Sequence, residues 1–275
     1  MTFQAVEKAI AQGLRNRVIS GGDTIHLDDV KAVSTQRQAG HWASLYIFGK
    51  DVPREAYYAV YEALTASAGL FVLTSEYREG FDYDTPSAMV TAYQKELFRF
   101  DLLYRHFCEQ ADIAESKIWD ILKKLREKVE ACYVNGYLHH LADRWGKFLD
   151  PEGSTALLNS WCLDDMPNHY HFFSKRVATR LKEAERRRSF VIISDAFRYE
   201  AAWELTRELN GKYRFEANLD AQLGVLPSYT ALGMAALLPH EKLSYKPNGD
   251  VLVDGKPMAS LEQRSQILAS HEGLA

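Results

Sequence analysis

Apolar positions in the first two-thirds of the chain recur three and four apart, the repeat of an amphipathic helix. The clearest stretch follows Thr85-Pro86, an N-cap and first-turn pair. Val90, Tyr93, Leu97, Phe100, Tyr104 and Phe107 then place large side chains on one stripe. That stripe predicts packed helix core rather than a ligand pocket. A second helix carries Ile118, Ile121, Leu125, Val129 and Cys132 on one face, with Gly136 as a possible break before Leu138, Leu141 and Trp145. The opening residues, Pro53 to Ala68 and Lys175 to Arg188 also read as helix. Gly146 and Asp150-Pro151-Glu152-Gly153 read as loops.

The period changes near residue 189. Phe190-Val191-Ile192-Ile193 is short, continuous and β-rich, as in a central parallel strand covered on both faces. Tyr199 to Leu209 follows as a helix stopped by Asn210-Gly211, and Tyr213 to Leu219 as a second strand. Strand, helix, strand is a βαβ unit. The predicted class is therefore α/β: a helical domain over 1–183, then an α/β domain over 184–275. Val251 to Val253, before Asp254-Gly255, reads as a hairpin strand, and Leu261 to Ala269 as a last helix.

Composition changes this picture little. With 47% hydrophobic and 25% charged residues, the chain has the make-up of a globular protein. A net charge of −4 offers no global field for nucleic acid. Cys108, Cys132 and Cys162 are too few and scattered for a disulfide framework, and read as reduced thiols in a cytoplasmic protein. No uninterrupted apolar run reaches the ~18–20 residues of a membrane span, and the N-terminus lacks a signal-peptide pattern.

Chemistry concentrates in two stretches. In SFVIISDAFRYEAAWEL, Asp195 stands where the apolar run stops. Ligands of open α/β sheets bind beyond the carboxyl ends of strands. A carboxylate there is either a turn or capping residue or a functional group. In LGVLPSYTALGMAALLPH, Thr230 precedes the apolar run Ala231 to Leu238 and should stand near a helix N-terminus, where anions are favoured. Its hydroxyl either caps the helix or, beside a metal, attacks phosphorus. Ser228 is a weaker candidate for the same part. His139-His140 diverge on a helix, and His169-Tyr170-His171 would chelate only if extended.

VIISDAFRYEAAWEL followed by LGVLPSYTALGMAALLPH resembles the PglZ family of BREX phage-defence systems. The resemblance implies an alkaline-phosphatase-like parallel-sheet domain with two divalent metals, usually zinc. It implies that Asp195 binds metal and that Thr230, last in Pro227-Ser228-Tyr229-Thr230, is the nucleophile and also touches metal. Arg198 and Tyr199 belong to the motif without an assigned role. The family's Asp-His-Gly motif does not occur, and the histidines beyond Thr230 are His240 and His271. The chain is thus expected to be a fragment or truncation holding the helical region and the opening of the catalytic domain, with no tightly bound metal of its own. Two functions follow from the resemblance. One is a metal-dependent phosphatase or phosphodiesterase, with DNA as one substrate class. The other is a scaffold docking BREX components such as BrxB, the methyltransferase and the ATPase. An unrelated Rossmann-like module is disfavoured, because no Gly-x-Gly-x-x-Gly follows Ile193.

Overall fold

The computed structural model describes residues 3–21, 24–45, 54–116, 120–149, 156–182, 189–212 and 214–271. The chain forms two compact units, one of Met1–Asp84 with Thr91–Phe148, the other of Thr85–Val90 with Leu149–Ala275. The division falls at Phe148/Leu149; the predicted 183/184 boundary touches residues outside the described ones.

The first unit is helical. It contains α1 (Gln4–Gly21), α2 (Leu27–Gln38), α3 (Arg54–Glu76), the end of α4 (Pro86–Ala92), α5 (Phe98–Ser116), α6 (Lys123–Tyr133) and α7 (His139–Phe148). Thr85 caps α4 as predicted, its Oγ1 accepting from the Ala88 N–H at 3.1 Å. Pro53 and Ile118 lie outside the described residues. Helix α3 is the core element. It is long and apolar enough to cross a membrane, but 78% of its apolar window is buried inside the protein, so packing accounts for its composition. Gly69 lets α5 approach α3, since a β-carbon there would meet Leu103 at 3.2 Å. Gly136 does not break the second helix. It sits in a π-helical turn, Val134–Leu138, where a β-carbon would meet Thr74 at 3.1 Å. Gly146 is likewise no loop residue but part of α7, where it is sterically open. The predicted stripe is core: Leu97, Phe100 and Phe107 are fully buried, and Tyr93 and Tyr104 pack against them half-buried.

Two carboxylates, Asp101 and Glu7, are buried among the described residues of this unit. Asp101 accepts from Tyr93 at 2.7 Å and Tyr133 at 2.5 Å. Burial, and then the charge of Asp101, push the Tyr137 hydroxyl well above the usual phenol range. Glu7 on α1 accepts from Tyr61 at 2.6 Å and is paired with Arg37 of α2. Burial, then the bond to Glu7, raises the Tyr61 pKa. Arg37→Met is expected to cost about 2 kcal/mol, because Glu7 would keep its burial and lose its counter-charge. Chemical denaturation would measure this; an unchanged midpoint would show that Tyr61 alone satisfies the carboxylate.

The second unit departs from the prediction. No parallel sheet forms among the described residues; the sheet present is a three-stranded antiparallel one, β1 (Leu243–Tyr245), β2 (Val251–Val253) and β3 (Lys256–Pro257). Phe190–Ile193 is not a strand. Its exposures alternate, 85%, 46%, 93% and 47%, as in an extended segment with no neighbour to cover it. β-propensity describes fit to a pleated, half-buried surface, and with no adjacent strand among the described residues the run has no ladder to join. The second predicted strand, from Tyr213, also fails. Tyr213 is outside the described residues, and the segment behind it is tied to a side chain: Ala217 exchanges two 2.8 Å hydrogen bonds with Asn210. Asn210-Gly211 therefore does not stop the helix, and α9 (Tyr199–Lys212) runs through it. Residues 183–188 of the predicted Lys175–Arg188 helix and the Asp150–Gly153 loop lie outside the described residues; before them Phe173–Ala178 is a π-helical turn leading into α8 (Thr179–Lys182).

The hairpin and last helix appear as predicted. Asp254 and Gly255 have φ of 50° and 77°, the paired left-handed conformations of a two-residue turn joining β2 to β3. Helix α10 (Thr230–Ala236) packs Leu232, Ala235 and Ala236 onto Val251, Val253, Met258 and, from α11 (Leu261–Ala269), Ile267.

Candidate active site

Thr230 and Asp195, 35 positions apart, are in direct contact: Thr230 Oγ1 donates to Asp195 Oδ2 at 2.9 Å. Each is fixed by its own element. Thr230 opens α10, whose buried Leu232, Ala235 and Ala236 hold the helix against the hairpin. Tyr229, not Thr230, occupies the capping position and makes no side-chain cap, so the Thr230 hydroxyl is not used as a cap. The helix is also shorter than the predicted run, ending at Ala236.

Asp195 is held by a tight turn. The next residue, Ala196, is left-handed with φ 53°, and its N–H donates to Asp195 Oδ1 at 3.1 Å. One carboxylate oxygen thus faces the turn and the other faces Thr230. A non-glycine residue in this region costs of order 1 kcal/mol and marks a conformation imposed by its surroundings. Ala196→Val should cost about 1–2 kcal/mol more, since β-branching crowds a left-handed residue. Thermal unfolding would register it. No loss would mean that the turn relaxes freely.

The segment leading to Thr230 is braced by two side chains outside both motifs, Trp161 and Asn168. Trp161 Nε1 donates to the Gly224 carbonyl at 2.7 Å, and Asn168 Nδ2 to the Trp161 carbonyl at 3.0 Å. Leu223 exchanges backbone bonds with Pro167 at 2.9 Å and His169 at 2.8 Å. Trp161 and Asn168 are far from Thr230 in sequence and lie on irregular backbone, so no periodicity marked them. His169-Tyr170-His171 form a 3₁₀ turn, not an extended pair, which removes the geometry in which alternate residues would chelate. Burial lowers the His169 pKa, favouring the neutral ring.

Asp195 and Thr230 stand on the wall of an open cavity of about 920 Å³, within the range of ligand sites. Ser228, His169, Phe197 and Arg198 share its lining. A carboxylate and a hydroxyl in contact suit two positions around a hard or borderline divalent cation. Among the described residues no group of three or more His, Cys, Asp and Glu converges as a metal set.

Residues 172–275, which include Asp195, Thr230 and the cavity-lining Arg198, match the family model described as "BREX system PglZ alkaline phosphatase-like domain". The chain is 38% identical over 276 residues, its whole length, to "Alkaline phosphatase-like protein BrxZ" of Escherichia coli O9:H4 (strain HS). The chain belongs to the PglZ family. This PglZ-family chain is also 32% identical over 242 residues, 88% of its length, to "Alkaline phosphatase-like protein PglZ" of Bacillus cereus (strain H3081.97). It spans 31% of the first relative and 26% of the second, so the PglZ relatives are more than three times as long. No solved structure matches the chain significantly.

Proposed function

We propose that this chain contributes the nucleophile and one metal ligand of a metal-dependent phosphatase or phosphodiesterase acting in BREX phage defence, alongside other BREX components. The observation that carries this reading is the 2.9 Å hydrogen bond from Thr230 to Asp195 on the wall of the cavity. Two motif residues with the right chemistry, read separately from the sequence, meet where a phosphoryl group has room.

In this reading Thr230 Oγ1 attacks phosphorus as its proton is lost to solvent, the bond from phosphorus to the leaving oxygen breaks on the opposite side, that oxygen takes a proton from solvent, and the phosphothreonine ester that forms is then cleaved by water. The hydrogen bond to Asp195 fixes the threonine rotamer, so that the attacking oxygen needs little reorganisation. Asp195 is anchored by the Ala196 N–H and by Thr230, which keeps its carboxylate in place to hold a cation. A divalent metal bound by Asp195 and Thr230 would lower the hydroxyl pKa and offset charge on the phosphoryl oxygens. The family description and the names of the relatives support the class of reaction; the substrate is part of the proposal.

The test is hydrolysis of a chromogenic phosphodiester by the full-length protein with zinc or manganese added. Turnover that requires metal supports the reading. No turnover with either metal, or equal turnover in EDTA, sinks it.

A further inference from the structure

Arg198 and Glu200 share the motif of Asp195 and take no part in the chemistry above. Glu200, in the first turn of α9, is 1% exposed. Its Oε1 lies 3.1 Å from Arg198 Nε. The Arg198 side chain is 58% exposed and lines the cavity that holds Asp195 and Thr230. Among the described residues lining that cavity it is the only Arg or Lys.

The two ends of this ion pair sit in different surroundings. Burying a carboxylate so completely is costly without a counter-charge, and apolar packing often serves stability as well. Here the buried end is the tether and the wet end is the cation. Asp195 places negative charge on the same cavity wall, which repels an incoming phosphoryl anion. A fixed guanidinium offsets that repulsion, and its planar fork suits paired oxyanion oxygens. Held through Nε, it gives up less side-chain entropy when it binds than an untethered arginine would.

We infer that Arg198 binds the non-bridging oxygens of a phosphoryl group in the cavity, and that Glu200 is the positioning residue that holds its guanidinium. This rests on the phosphoryl-transfer reading and deepens it. It assigns the site's built-in affinity for phosphate to a side chain outside the Asp195–Thr230 pair.

The probe is inorganic phosphate, titrated into metal-free residues 1–275 and followed by phosphorus NMR line width. The wild-type chain is expected to bind. The double variant Arg198→Gln/Glu200→Gln removes both charges and strands neither; it should keep its unfolding midpoint and lose about tenfold or more in phosphate affinity. Glu200→Gln alone keeps an acceptor for Nε and should bind within about threefold of wild type, whereas Glu200→Ala, which keeps the cation and loses its tether, should fall between that variant and the double variant. Arg176→Gln removes a charge outside the cavity lining and should leave binding unchanged. A folded double variant that binds phosphate like wild type, or a wild-type chain that binds none, overturns the role of Arg198. Equal binding by Glu200→Ala and wild type overturns that of Glu200. Failure of the phosphoryl-transfer reading shows elsewhere, as absent metal-dependent turnover in the full-length protein.

Discussion

Thr230→Ala in the full-length protein is expected to lower phosphodiester turnover by about 10³-fold or more, with little change in stability. The size follows from the role proposed for Thr230 as nucleophile. Removing a nucleophile eliminates the covalent route, leaving only what binding and charge stabilisation give to direct attack by water. Stability should hold because Thr230 is exposed and its side chain makes one hydrogen bond, to Asp195, worth about 1 kcal/mol. Thr230→Ser, which keeps the hydroxyl, should retain most of the activity. Asp195→Ala should also be severe, and adding it to Thr230→Ala should cost little further, since residues acting as a unit are strongly non-additive. Steady-state kinetics on the two single variants and the double would decide the matter. Multiplicative losses would mean that the 2.9 Å contact is incidental.

Phe100→Ala is expected to destabilise the helical unit by about 3–5 kcal/mol. The ring is fully buried and enclosed by aromatic neighbours. It stacks on Tyr137 at 4.2 Å and meets Tyr77 and Phe81 edge-on at 5.7 and 5.9 Å. Truncation removes a large apolar area and three ring contacts, each worth something beyond area alone. The cavity would adjoin buried Tyr137, whose hydroxyl sits near Asp101, so collapse around it would disturb a polar network and is resisted. Phe100→Leu fills most of the volume and should cost appreciably less. Urea denaturation of the three proteins tests this, and a Phe100→Ala midpoint equal to wild type would contradict the packing.

Elements whose stability is local were legible from residue type. The stripe from Tyr93 to Phe107 follows helical spacing, and the structure buries it. Thr85-Pro86 carries its own capping chemistry, and Asp254-Gly255 its own turn chemistry. Glycines misled for a related reason. Gly136 and Gly146 read as breaks, but a helix tolerates a glycine, and at Gly136 the lack of a β-carbon admits Thr74. Asn210-Gly211 read as a stop, yet Asn210 spends its side chain on Ala217, seven residues on.

By itself the sequence determined the helical repeat of the first unit, the hairpin and last helix of the second, and the two motifs that carry Asp195 and Thr230. Each depends on spacing or turn chemistry within a few residues. The tertiary structure decided the rest. It joined Asp195 to Thr230, because that contact needs α10 seated on the hairpin and the 223–225 segment braced by Trp161 and Asn168. Among the described residues it left Phe190–Ile193 without a partner strand, because a strand exists only through hydrogen bonds to a neighbour, and no local pattern can state whether one is there.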